Sequence, residues 1–535
     1  MSNGSKDSAR PATEAADNTK KLSNRHVTMI TLGGIIGASL FVGSGNVIRS
    51  VGPAALVSYS IGGLLVILVM RMLGEMAVAS PAVGSFMEYA RRGLGEWAGY
   101  LIGWLYWYFW VGVIAFEAVV GGATLHGWFP MIPDWVFSIA VMLIFTIANL
   151  VSVRSFGEIE FWLASIKVAT IVVFLSLGLL FAFGLWPGAS FSFGNIVNAE
   201  GGFAPYGWWA VISGVALVIF SYFGTEIAVM AAAESEDPKK GVTRATNAVV
   251  WRIMLFFIGG VTLILAIVPW NQLPDPDQIS PFAYVFGQIF APFFGPGAAQ
   301  VAEIIMSAVL LTAVFSVLNS GIYSASRMFA AISDEGLAPK FIGKRASNGV
   351  PVMAVLASTI GGYAAVVINF LLPDSGIFTF IMNSAGLVAL LVYAFIALTQ
   401  IRMRQQMTKQ EVDRLELKMW FHPWLAILTI LGIIGVVVIM IILPETRVQV
   451  WSTLISVAVL VVFWPVARRN LQKIGKLGQK PETRLLRTVQ RNQPAASVGQ
   501  NSNDGEVSSE TRAIRTANRE QRELRKQQRQ QQNKQ

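Results

Sequence analysis

Cysteine is missing from all 535 residues, so the chain can form neither a disulfide nor a thiolate metal site. Histidine is scarce too: His26, His126 and His422 stand singly, and each reads as an interfacial or loop residue rather than a metal ligand. No Gly-x-x-x-x-Gly-Lys-Ser/Thr phosphate loop occurs, so nothing points to work driven by ATP. No nucleophile–base pair or ligand cluster of the kind a membrane enzyme needs is visible. The N-terminal stretch lacks a short apolar core ending in a small-residue cleavage site, so no removable signal peptide is expected. Charge is also sparse. Only 13% of residues are charged, against roughly 25% in soluble domains.

What is abundant is apolar: 54% of residues are hydrophobic. They come in repeated blocks of about 20, the length that crosses a hydrocarbon core at 1.5 Å per residue. Backbone groups in lipid must be bonded internally, so the blocks read as helices. Segments of about ten residues with alternating polarity do not occur, which argues against a membrane barrel. The expected fold class is an all-α membrane protein. Twelve segments stand out, at 26–48, 53–79, 97–122, 135–153, 159–186, 207–232, 247–269, 298–330, 351–372, 377–400, 423–443 and 448–467. They are called spans 1 to 12 below.

The formal net charge of +10 invites a nucleic-acid reading, but its location argues against one. From Arg468 to Gln535 there are sixteen Lys/Arg and six Asp/Glu, so this tail carries the whole excess. Next to a membrane, such a tail suits anionic lipid headgroups. Few apolar residues are available there to build a core, and disorder is expected. The chain thus divides into a polar cytoplasmic tail at 1–24, a membrane domain at 25–467 and a basic cytoplasmic tail at 468–535. With the N-terminus inside, the inner connectors hold Arg91, Arg92, Arg154, Lys239, Lys240, Lys340, Lys344, Arg345 and the Arg402–Lys418 stretch. The outer connectors hold only Arg49 and Arg447, and the outer loops 190–206 and 271–297 hold no Lys or Arg. That asymmetry, with an even number of spans, places both termini in the cytoplasm of an inner-membrane protein.

Two spans look broken. Span 1 contains Gly33, Gly34, Gly37 and Gly43, and span 6 reads Phe220-Ser-Tyr-Phe-Gly-Thr-Glu226 in its middle. A helix-interior glycine costs about 1 kcal/mol against alanine. One explanation is close helix packing through small residues. The other is unwinding. The breaks lie five spans apart, so the first helices of two five-helix units would both be interrupted, as in inverted-repeat carriers that bind substrate at the breaks.

Several motifs carry a family resemblance. Gly33-Gly-Ile-Ile-Gly-Ala-Ser-Leu-Phe41 resembles the opening of the amino acid–polyamine–organocation superfamily. Met70-Arg-Met-Leu-Gly-Glu-Met-Ala77, Gly84-Ser-Phe-Met-Glu-Tyr-Ala90, Phe156-Gly-Glu-Ile-Glu-Phe-Trp162, Ala232-Ala-Glu-Ser-Glu236, Arg244-Ala-Thr-Asn247 and Leu318-Asn-Ser-Gly-Ile-Tyr-Ser-Ala-Ser-Arg-Met328 resemble its bacterial amino acid permease branch. The resemblance runs from about His26 to Trp464. Within the branch, Gly37-Ala-Ser-Leu-Phe-Val-Gly-Ser44 looks most like γ-aminobutyrate permeases, which Ala118–His126 and Leu387–Tyr393 also favour. The resemblance implies the five-plus-five inverted repeat also seen in the leucine transporter, with two extra helices. It implies a secondary carrier without cofactor, coupled to protons or exchanging substrates. The implied cargo is γ-aminobutyrate or a related small amino acid. A permease for small or aromatic α-amino acids, such as D-alanine, D-serine or glycine, and an amino acid sensor without flux remain alternatives.

The resemblance also implies a site. Unwound backbone at Gly37, Ala38 and Ser39 would bind the substrate carboxylate, and exposed carbonyls at Phe220, Ser221 and Phe223 would accept from its amine. Phe220 resembles an aromatic gate. Glu117 lies in the apolar run 111–120, where a carboxylate is costly unless paired or protonated. By resemblance it lines the substrate site; otherwise it is a protonated carboxyl bonded within the bundle. Glu226 resembles a proton-sensing residue, with a structural bond to a neighbouring helix as its other reading. Lys167 is buried in span 5. Desolvation disfavours its ammonium, so it suits proton coupling in place of a bound cation, or else it forms a permanent ion pair. The Trp/Tyr cluster from Trp104 to Trp110 reads as packing and interfacial anchoring.

Overall fold

The structure is a computed structural model. It describes residues 36–80, 86–151, 156–233, 238–276, 278–372 and 377–477. Gly33, Gly34, Arg154 and the motif residues Gly84, Ser85 and Glu234–Glu236 lie outside the described residues, as do the N-terminal tail and most of the C-terminal one.

Helix dominates, as a lipid environment requires. Among the described residues ten helical stretches are long and apolar enough to cross a membrane, and two apolar helices, Gly207–Tyr222 and Pro281–Phe294, are shorter. The stretch Ala38–Ala79 is 42 residues long, about 63 Å at helical rise and so about twice the hydrocarbon thickness. It bends at Gly52–Ala54, where Gly52 has φ 77° and Pro53 follows. Spans 1 and 2 meet there. Spans 3 and 8 form the longest helices, Glu96–Trp128 and Pro296–Asp334. Each is longer than a perpendicular crossing of the hydrocarbon core needs.

Burial separates an inner from an outer set of helices. The most apolar window of Thr379–Gln405 is 78% buried, that of Ala38–Ala79 67% and that of Pro444–Lys473 only 17%. The outer helices expose Leu143, Ile144, Ile147, Val461, Val462 and Phe463. Exposed apolar side chains in such numbers suit contact with acyl chains rather than water. Among the described residues, spans 1, 2, 3, 6, 7, 8 and 10 supply most of the core.

Some boundaries differ from the sequence reading. The connector 271–297, read from the sequence as an outer loop, is no plain loop: Pro281–Phe294 is a helix with Phe282, Ala283, Val285, Phe286 and Ile289 buried. Its hydrophobic side packs on the bundle, and at 14 residues it is too short to cross. Ser280 Oγ at its N-terminal end donates to the Phe41 carbonyl (2.7 Å). Span 7 carries a π-helical stretch, Ile253–Gly259, between α-helices Pro238–Arg252 and Gly260–Ile267. Span 12 runs on to Lys473.

Candidate functional site

Both glycine-rich spans are interrupted, by different means. In span 6 the first helix ends at Tyr222, Phe223 is extended (φ −67°, ψ 148°), Gly224 has φ 99° and helix resumes at Thr225. Only glycine adopts that left-handed φ without strain. Helix termination leaves carbonyls near Phe220 and Ser221 outside the regular ladder. In span 1, Gly37 is extended (φ −122°, ψ −170°), a short helix covers Ala38–Phe41, and a second begins at Gly43 after Val42. Here close packing contributes as well. A Cβ on Gly37 would lie 2.7 Å from Glu117 Oε1, and one on Gly43 2.8 Å from Met382 Cε. The two explanations offered for these glycines therefore both apply, one mainly in each span.

The breaks meet. Ser221 Oγ donates to the Ser39 carbonyl (3.1 Å), joining span 6 to span 1. Span 3 closes the third side. Glu117, 1% exposed, accepts from the Ala38 N–H at 3.2 Å to Oε1 and 3.4 Å to Oε2. Gly37, Ala38, Ser39, Glu117 and Ser221 are thus brought together. Phe220 and Phe223 stand against span 3 instead. Phe220 packs edge-on to Phe116 (5.1 Å between ring centres), and Phe223 lies 3.9 Å from Phe109 and stacks on Tyr393 at 5.2 Å. Trp104 and Trp107 pack on Phe329 of span 8, which fits the packing reading of that cluster. A cavity of about 570 Å³ begins one turn from Glu117, at Val42 and Val120, and is bordered by Thr124, Gln278, Ser280 and Glu303.

Glu226 is fully buried and its Oε2 accepts from the Gly224 N–H at 2.8 Å, so it caps the break of its own span. Lys167 is also fully buried; its Nζ donates to Ser316 Oγ of span 8 (2.9 Å). Ser316 Oγ in turn donates to Glu160, at 2.6 Å to Oε1 and 2.8 Å to Oε2. Lys167 Nζ and Glu160 Oε1 are 3.9 Å apart. Sequence reasoning did not single out Glu160 or Ser316. A signal for Glu160 was present, since residues seven apart share a helix face after two turns. Ser316 carried none, because its partners come from another span.

Broken helices meeting at a buried carboxylate, inside an apolar helical bundle, match the pattern of membrane carriers. A profile of the family described as "Amino acid permease" matches residues 26–471, and the chain belongs to that family. It is 45% identical over 452 residues to "Gamma-aminobutyric acid permease" of Bacillus subtilis, covering 84% of this chain and 94% of that one. It is 38% identical over 444 residues to "Aromatic amino acid transport protein AroP" of Corynebacterium glutamicum, covering 82% and 93%. The fold resembles that of a manganese transporter from Eremococcus coleocola (TM-score 0.52, 16% identity, 84% of this chain and 95% of that one). The chain is a multi-pass amino acid transporter.

Proposed function

We propose that this permease takes up γ-aminobutyrate, or a closely related small amino acid, together with protons across the cell's inner membrane. It would do so with twelve spans in a five-plus-five inverted repeat plus two. Residues 25–467 form the transport unit, flanked by cytoplasmic tails at 1–24 and 468–535, the latter lying against anionic headgroups. The count of twelve is supported by Ala38–Ala79 serving as two crossings and by Gly207–Tyr222 with Thr225–Ala233 forming one broken crossing. The substrate class is supported by the name of the Bacillus subtilis relative.

One observation carries the mechanism: Glu117 rests on the Ala38 N–H. That N–H is the donor suited to a substrate carboxylate, because backbone donors at a helix start attract anions. An arriving carboxylate takes over the Ala38 and Ser39 N–H groups and releases Glu117. The freed Glu117 then accepts from the substrate ammonium, along with carbonyls at Phe220, Ser221 and Phe223. A γ-amine lies farther from its carboxylate than an α-amine does, so an acceptor on span 3 favours an ω-amino acid.

Charge-assisted bonds of this kind contribute about 1.5–3 kcal/mol. Glu117→Gln should weaken γ-aminobutyrate binding to the purified protein roughly ten- to a hundred-fold. Alanine, bound through an α-amine, should lose less. Binding of an α-amino acid without any binding of γ-aminobutyrate would reject the substrate. The aromatic relative and the ring cluster around Phe220 and Phe223 make phenylalanine the competitor to include. Uptake into proteoliposomes separates a carrier from a sensor.

A further inference from the structure

We propose that Ser316 and Glu160 form the inner proton path of Lys167, an inference that rests on the proton-coupled reading above. A serine hydroxyl has one proton to donate and lone pairs to accept. Here it is committed in one direction, accepting from the Lys167 ammonium and donating to the Glu160 carboxylate. Lys167 and Ser316 are fully buried and Glu160 is 2% exposed. Two opposite charges held out of water are costly, and a concerted shift along this chain removes both. One Lys167 N–H bond breaks and its proton joins Ser316 Oγ. The Ser316 O–H bond breaks and its proton joins Glu160. The ammonium and carboxylate become an amine and a carboxylic acid, and the serine is regenerated.

The surroundings favour a directed path. Glu117 of span 3 is the other charge acting on Lys167, and it touches the Ala38 N–H that the proposed site uses. Substrate arrival at Glu117 therefore changes the field at Lys167. Ser320, about one turn beyond Ser316, also addresses Glu160. Among the described residues, the other segments packed most closely on span 5, 253–267 and Pro281–Phe294, carry no Asp, Glu, Lys, Arg or His. Glu160 lies in the second turn of Phe156–Ala182, the end that the Lys/Arg asymmetry assigns to the cytoplasm. It is placed to pass the proton inward.

Ser316→Ala removes the relay hydroxyl and keeps both charged groups. In proteoliposomes, uptake of γ-aminobutyrate driven by an imposed pH gradient should fall about ten-fold or more. Exchange of internal for external γ-aminobutyrate, which needs no net proton release, should change less than about two-fold on the same scale. Ser316→Thr should restore gradient-driven uptake, and Glu160→Gln should reproduce the alanine variant. Equal loss of uptake and exchange in Ser316→Ala, or no loss of either, would overturn the relay. If wild-type uptake ignores the pH gradient and requires sodium, the coupling reading itself fails, whatever the variants do.

Discussion

Gly37 and Gly224 are the same residue for unlike reasons. Beyond its two chain neighbours, Gly224 has no atom within 4 Å of where its Cβ would stand, yet its φ of 99° is left-handed. Conformation alone demands glycine there. Gly37 has an ordinary extended backbone, and what it lacks is room: Glu117 Oε1 and Val317 Cγ2 would lie 2.7 and 2.9 Å from a Cβ. Gly224→Ala should cost about 1–2 kcal/mol, the penalty for an L-residue in the left-handed region. A lower thermal midpoint in detergent, with weakened substrate binding, is the expected result. An unchanged midpoint would mean that the span 6 break does not depend on Gly224. Both glycines were visible in the sequence, but their separate reasons were not. A backbone angle and a side chain 80 residues away in span 3 are tertiary facts.

At the scale of helices, Glu75 acts as a clasp. It projects from Ala55–Ala79 and accepts from Gln400 Nε2 (2.9 Å), Arg404 Nη1 (2.7 Å) and the Met419 N–H (2.5 Å). Nearby, Arg71 Nε donates to the Lys418 carbonyl (2.7 Å), and its guanidinium sits 4.0 Å over the Trp420 ring. Together they pin span 2 to span 10 and to the connector that follows it. Glu75 is 1% exposed, and removing one member of such a pair leaves the other uncompensated, at about 3–5 kcal/mol. Glu75→Ala should therefore lower the thermal midpoint strongly, and Glu75→Ala with Arg404→Ala should lose less than the two single losses added. Strict additivity would rule out the clasp. Glu75 stood inside a family motif, but its partners lie 325, 329 and 344 positions away, beyond the reach of any local pattern.

For the whole molecule, orientation rests on charge. The outer connectors hold two cations in the twelve-span reading, and one of them, Arg49, pairs with Asp275 at 2.8 Å. The connector 190–206 has no Lys or Arg. Reporter fusions after Gln535 and within 271–278 should report opposite sides of the membrane. The same side for both would refute the twelve-span topology. The fusion point matters, because the helix Pro281–Phe294 packs on the bundle and an insertion there would test stability instead.

Hydropathy and glycine placement determined the class, most of the helical spans and the two breaks. Each of these is a local consequence of moving a chain into lipid: apolar length and an internally bonded backbone. The sequence also marked Glu117, Lys167 and Glu226, because an ionisable group inside an apolar run is costly wherever it points. Tertiary structure alone decided what those groups touch. It set Glu117 on the Ala38 N–H, turned Glu226 onto its own break and put Ser316 between Lys167 and Glu160. Hydrogen bonds act over about 3 Å, and which spans approach that closely depends on how whole helices pack.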